Sequence, residues 1–250
     1  MPASPDAVSG ALRAVIFDVD GVLVDSPHEQ AWRDALADFA DPTGFTTAFY
    51  QAHVAGKPRL EGARATLERL GAAGAATDAA AFGRKKQAVI DRLIAEDRFT
   101  AFPDAIRLAV ALRETALRTV LASSSKNADA MLARVILPDG RTLLSLFDAD
   151  VSGRDVPRGK PDPALFRLAA GAVEVPPAAC LVVEDAPAGI RAAKAGGMAG
   201  LGIARLGDAA LLRAAGADLV LTSLDDLDVS ALSDGVLQRR SGPDPHTSSV

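Results

Sequence analysis

Two pairs of acids stand out, Asp18-Val19-Asp20 and Glu184-Asp185, because each directly follows an uninterrupted apolar run. Ala14 to Phe17 precedes the first pair and Leu181 to Val183 the second. Apolar runs without alternation read as strands buried on both faces of a parallel sheet. The carboxyl ends of such strands are where open α/β sheets place their ligands. Carboxylates crowded there repel one another and lose hydration, so a bound cation or a shared proton has to compensate. Asp and Gly are also ordinary turn residues, and the first pair alone fits a turn equally well. Two strand ends that each carry two acids are hard to explain as turns. They point to a hard, oxygen-ligated cation, and Mg²⁺ suits a site with few carboxylates plus phosphate and water.

Two further segments could serve the same chemistry. Ser123-Ser124-Ser125-Lys126-Asn127 follows a third apolar run and opens a helix. Hydroxyls and free N–H groups at a helix start can bind an anion, although a serine there also acts as a plain N-cap. Gly159-Lys160-Pro161-Asp162-Pro163 is a proline-stiffened loop whose lysine could reach back over the strand ends. A solvated lysine in a turn is the commoner case. The four segments taken together favour function.

The elements that must position these residues follow from periodicity. After the first acid pair, Ala31, Trp32, Ala35, Leu36 and Phe39 share one helical face. Helices are expected around Thr46 to His53, Leu60 to Leu70 and Asp78 to Ala95, with no strand between residues 28 and 99. From Phe102 helices and strands alternate: helices at Asp104 to Leu117, Asn127 to Ile136, Pro163 to Ala172, Ala186 to Ala195 and Asp208 to Ala215, and strands at Arg118 to Ala122, Phe147 to Val151, Leu181 to Val183, Leu201 to Ile203 and Asp218 to Leu221. Alternation implies right-handed crossovers. The fold class is therefore α/β: a Rossmann-like doubly wound parallel sheet with an inserted all-helical cap domain. The expected division is an α/β core over 1–27 and 100–235, a helical cap over 28–99, and a disordered polar tail over 236–250. Residues 1–12 read as a loose leader.

Composition narrows the function classes. The 250 residues carry a net charge of −5 with 49% hydrophobic content, which suits a soluble globular chain with a large core. No basic block offers a nucleic-acid surface. No segment is long enough to span a membrane and no secretory leader is evident, so a cytoplasmic protein is expected; the expected partner is a small phosphorylated metabolite and the expected state a monomer. The one cysteine, Cys180, excludes an internal disulfide and a cysteine metal cage.

DVDGV at 18–22, Ser123, Lys160 and Glu184-Asp185 match, in order, the four motifs of the haloacid dehalogenase superfamily of phosphotransferases. The chain resembles its β-phosphoglucomutase branch most, with the helical insertion where the C1 cap lies. The resemblance implies Asp18 as the nucleophile that forms an aspartyl-phosphate. It implies Asp20 as general acid and base, also giving its backbone carbonyl to Mg²⁺. Ser123 and Lys160 would hold the phosphoryl group, and Glu184 and Asp185 would help bind Mg²⁺. Ser124, Ser125, Lys126 and Asn127 fall in that branch's ASxSKN pattern. Arg59 matches a cap arginine that grips a distal phosphate, Lys86 a cap lysine facing the sugar, and His28 a histidine that positions the acid–base aspartate. The linker from Asp25 to Trp32 is shorter than in that branch, and the loop Leu137 to Thr142 looks longer. The expected substrate is a small phosphorylated sugar. Alternatives are a broader phosphatase of the phosphoglycolate type, a haloacid dehalogenase, which Asp20 argues against, and a phosphoaspartate receiver module, which the length and insertion argue against.

Overall fold

The computed structural model describes residues 12–240. In chain order the elements are β1 (Ala14–Phe17), β2 (Val24–Asp25), α1 (His28–Leu36), α2 (Thr47–His53), α3 (Arg59–Arg69), α4 (Ala75–Ala95), β3 (Thr100–Ala101), α5 (Pro103–Leu112), β4 (Arg118–Leu121), α6 (Ala128–Leu132), β5 (Ala149–Asp150), α7 (Ala164–Ala172), β6 (Cys180–Glu184), α8 (Pro187–Ala195), β7 (Ala199–Ile203), α9 (Ala209–Ala214), β8 (Leu219–Leu221) and α10 (Val229–Ser233).

Six strands form one parallel sheet in the order β5-β4-β1-β6-β7-β8. The chain leaves β1 to one side and later returns to the other, so the topological switch falls at β1. Strand periodicity sends Val15 and Phe17 into one hydrophobic cluster and Ala14 and Ile16 into another, as a sheet covered on both faces requires. The register sets Phe17 beside Leu121 and Val183. Asp18, Ser123 and Glu184 therefore emerge at neighbouring strand ends.

The inserted cap is α1 to α4. Trp32, Phe45, Val54, Leu67 and Phe82 pack into a cluster separate from those on the sheet. The Phe82 ring meets Trp32 edge-on at 5.1 Å and Phe39 at 5.3 Å. The outgoing and returning linkers pair as β2 and β3, an antiparallel ribbon with Val24 opposite Ala101 and Asp25 opposite Thr100. No periodic signal announces such a short ribbon.

Several boundaries differ from the sequence expectation for physical reasons. The helix expected to reach Ile136 ends at Leu132, because Ile136 pairs with Thr142 across a tight turn through Pro138 and Gly140. Pro138 disfavours helical backbone at Leu137. The helix expected to reach Leu117 stops at Leu112, where the Thr115 hydroxyl donates to the Leu112 carbonyl. Leu12, expected in the loose leader, is buried in the core. Residues 236–240, expected in the polar tail, pack on the core: Leu237 is fully buried and Arg239 pairs with Leu227 and with Asp226. The remainder of the leader and tail, 1–11 and 241–250, lies outside the described residues. Phe82→Ala should cost about 3–5 kcal/mol, read by urea unfolding; a loss below about 1 kcal/mol would show that the cap does not depend on this cluster.

Candidate active site

Lys160 is the centre of the site. Its side chain is fully buried, and its Nζ lies 2.8 Å from Asp18 Oδ1 and 2.5 Å from Glu184 Oε1. The Phe166 ring of α7 lies 4.9 Å from the ammonium. Burial opposes the charge on Lys160, but Asp18 and Glu184 more than offset that cost and push its pKa above the ordinary lysine range. Glu184 Oε2 accepts the backbone N–H of Ala186 at 2.9 Å. Asp18, Glu184 and Asp185 can bring one oxygen each within 4.8 Å of one another.

Three carboxylates around one ammonium leave an excess of negative charge. Burial, and then the neighbouring acids, raise Asp18 to about 7 against the pull of Lys160. Asp185 is raised well above its usual range by burial, Glu184 and Asp18. A hard cation would relieve that excess. Packing leaves the acids little freedom: a Cβ on Gly21 would come to 2.0 Å from Asp185 Oδ2, and one on Gly189 to 1.8 Å from Glu184 Oε1. Only glycine fits at either place.

Asp20 faces away from this cluster. Its Oδ1 lies 3.3 Å from His28 Nε2, and its Oδ2 accepts the Ser123 hydroxyl at 3.4 Å. Burial would raise its pKa, but the charge and hydrogen bond of His28, with Ser26 and Lys86, bring it down to about 2. His28, at the start of α1, reaches the core despite the short linker. Its Nε2 lies 3.0 Å from Ser125 Oγ, and its Nδ1 lies 2.9 Å from Lys86 Nζ on α4. Burial lowers the His28 pKa, Asp20 opposes that shift and Lys86 adds to it.

The cap closes over these groups through polar contacts. Ser124 donates to the Gly56 carbonyl at 3.1 Å, and Gln87 donates to Asn127 at 2.9 Å while accepting from Arg59 at 2.5 Å. Gly159 lies directly under Pro58, where a Cβ would come to 2.1 Å from Pro58 Cδ. Between cap and core lies a cavity of about 550 Å³ lined by Asp18, Asp20, Ser123, Arg59 and Lys86, among others. Lys126 sits at its rim, where it pairs with Asp155 at 3.0 Å.

Sequence reasoning missed three contributors. Thr47, Tyr50 and Gln51 of α2, with the following Val54, line the cavity. Their helical spacing is visible in the sequence, but not that this face meets an open cleft rather than a core. Burial, Asp20 and Asp185 push the Tyr50 phenol well above its usual range. Gln87 carries no motif, although it adjoins Lys86. Arg205, past the end of β7, also lines the cleft, and its position beyond a strand end was the available signal.

The fold and the acid-lined strand ends define a haloacid dehalogenase-like hydrolase, whose family model matches residues 12–197; the chain belongs to that family and is an enzyme. Among curated relatives it is 34% identical to β-phosphoglucomutase of Bacillus subtilis over 229 residues, covering 88% of this chain and 94% of that one. It is 33% identical to the fructose-1-phosphate phosphatase YqaB of Escherichia coli over 189 residues, covering 74% and 92%. Among solved structures, the archaeal β-phosphoglucomutase from Pyrococcus sp. strain ST 04 superposes with a TM-score of 0.71 at 32% identity, covering 90% of this chain and 99% of that one.

Two predictions follow from the geometry. Gly159→Ala should wedge Pro58 outward and lower kcat/KM by about tenfold or more, with an unchanged circular dichroism spectrum; unaltered kinetics would show that the cap loop does not need this contact. Burial, opposed by Asp20 and aided by Arg59, brings Lys86 down to about 8. Because the folded protein gives up this proton more readily than the unfolded chain, wild-type stability should rise with pH between about 8 and 10.5. Lys86→Met should lack that rise, a difference on the order of 3 kcal/mol. Urea unfolding at pH 7.5 and pH 10 checks this, and parallel pH dependence in the two proteins would contradict it.

Proposed function

We propose that the protein is a Mg²⁺-dependent phosphoryl transferase that acts on a small phosphorylated sugar through an aspartyl-phosphate at Asp18. The observation that carries this reading is the Asp18–Lys160–Glu184 triad with Asp20 held apart from it. The names of the relatives, a phosphoglucomutase and a sugar-phosphate phosphatase, support the substrate class.

Asp18, Glu184 and Asp185 would hold the metal, with the Asp20 backbone carbonyl beside them. Their fit rests on the uncompensated acids, the convergence of three hard oxygens and the glycine-lined packing behind them. When bound, Mg²⁺ supplies charge neutralisation to the phosphoryl oxygens. Phosphoryl transfer needs positioning and electrostatic stabilisation more than covalent chemistry. Lys160 orients the Asp18 carboxylate and favours its ionised form, and Ser123 would offer a hydroxyl to the phosphoryl group.

In the first half-reaction an Asp18 oxygen bonds to phosphorus, the bond to the leaving oxygen breaks, and Asp20 gives that oxygen a proton. In the second, Asp20 takes the proton of the acceptor hydroxyl, whose oxygen bonds to phosphorus as the bond between phosphorus and the Asp18 oxygen breaks and the carboxylate is restored. The pKa of Asp20 near 2 belongs to the substrate-free pair with His28. A phosphate dianion beside it disfavours its negative charge and raises its affinity for a proton. Asp20 keeps its side chain off the acid cluster, as this role needs. Arg59, Lys86, Lys126 and Asn127 would bind the rest of the sugar phosphate, and the closed cap favours a sugar hydroxyl over water as acceptor.

Asp18→Asn should abolish turnover of p-nitrophenyl phosphate and trapping of phosphoenzyme while leaving the fold intact; substantial residual activity would sink the nucleophile assignment. Activity should vanish with EDTA and return with Mg²⁺. The acceptor is read by glucose 6-phosphate formation from β-glucose 1-phosphate primed with the bisphosphate. Release of inorganic phosphate alone would make the enzyme a phosphatase.

A further inference from the structure

Arg205 lies just beyond β7, and its guanidinium makes four hydrogen bonds. Nε donates to the Gly21 carbonyl and Nη2 to the Val22 carbonyl, each at 3.0 Å. The two terminal nitrogens also grip Asp104 at 3.1 Å each, and the group stacks on the Phe102 ring at 3.7 Å. Asp104 is buried and braced by the backbone N–H groups of Leu224 and Ala105. One side chain thus holds both chain segments that lead into and out of the cap. The outgoing segment is the turn after Asp20, and the returning one is Phe102 to Asp104, immediately after β3. Phe102 in turn donates its N–H to the Leu23 carbonyl at 2.9 Å.

The turn held by Arg205 bears directly on the site. Gly21 adopts φ +80° and presses one side against Asp185, so little room remains for the turn to shift toward the acids. Its carbonyl on the other side has Arg205 as its anchor. A planar fork that binds two carbonyls, a carboxylate and an aromatic face at once is a job for arginine and not for lysine. We propose that Arg205 is a positioning residue for Asp20 and the fixed pivot of the cap: it clamps the Gly21–Val22 turn and the returning segment Phe102 to Asp104 to the core. Cap movement is then taken up beyond the ribbon, and Asp20 stays in register with Asp18. The catalytic half of this inference rests on the acid–base role proposed for Asp20; the mechanical half does not.

The test compares Arg205→Met with Asp104→Asn in the full-length protein, using amide hydrogen exchange and p-nitrophenyl phosphate kinetics. Arg205→Met should speed exchange of the amides in 19–25 by about tenfold or more. It should lower kcat by about 100-fold with KM within about twofold, the signature of a misplaced reacting group. Asp104→Asn should lower Tm but leave exchange over 19–25 and kcat near wild type, because Arg205 still holds Gly21 and Val22. Should the methionine variant fail to fold, Arg205→Lys carries the same comparison, since it reaches one carbonyl at most. Unchanged exchange and kcat in the arginine variant would overturn the proposal. So would equal losses in the two variants, which would mean that only fold integrity had changed. If the wild type turns over no p-nitrophenyl phosphate, the function reading fails and hydrogen exchange alone judges the pivot.

Discussion

The buried ammonium of Lys160, held between Asp18 and Glu184, is the constraint on which the rest of the structure depends. A charge taken wholly out of water has to be matched by nearby opposite charge and by full hydrogen bonding. That requirement fixes where β1 and β6 must end, since each supplies one of the carboxylates. It also fixes the path of the loop from Gly159, which must deliver the lysine from the far side of the strand ends. Buried ion pairs are poor sources of net stability. A site that keeps one, together with a further unmatched acid at Asp185, is arranged for binding charge. The same arrangement places two nearby aspartates in different surroundings. Asp18 sits among acids beside the lysine, whereas Asp20 looks across the cleft to His28.

The cap meets the core differently from how either meets itself. Trp32, Phe45, Leu67 and Phe82 form an apolar cluster of the cap's own, whereas Ala31 of α1 and Ile90, Leu93 and Ile94 at the end of α4 join the cluster of the core. Around the cavity the contacts are polar pairs: Ser124 with Gly56, His28 with Asp20 and Ser125, and Gln87 with Asn127. Such polar contacts are each worth little net free energy, whereas the apolar packing at the end of α4 ties the cap to the core. Several of the polar pairs also involve groups that a bound substrate would use, which ties closure to occupancy.

The strand ends were legible in the sequence because chemistry and periodicity coincide there. An apolar run stopping at paired acids announces both a buried strand and a ligand site, and Asp18, Asp20, Glu184 and Asp185 all emerge where that signal places them. Lys160 was weaker evidence, since nothing in its loop distinguishes a lysine folded inward from one in solvent. His28 depended on a reach that linker length alone could not give; its partners Asp20, Ser125 and Lys86 come from separate elements. The contributions of Arg205, Gln87 and the inner face of α2 were hidden for a related reason. Each depends on contacts between elements far apart in sequence, and none departs locally from an ordinary helix or loop. Helix ends were misjudged where a proline turn or a threonine hydroxyl competed for the last backbone groups.

The position of β1 at the middle of the sheet has a consequence for how the chain comes together. Its partners are β4 and β6, so Val15 must wait for Thr119 on one side and Leu181 on the other. The cap cluster, drawn from residues between Trp32 and Phe82, closes over much shorter loops. Local contacts form early and distant strand pairings late. During synthesis the inserted helices can therefore gather while the first strand is still without neighbours, and the arrival of β6 gives β1 its second neighbour before β7 and β8 extend the sheet. That strand also brings Glu184 and Asp185 into place, so the acid cluster assembles only when β6 pairs with β1. A chain that stops short of β6 then carries Asp18 without the acids that surround it in the complete fold.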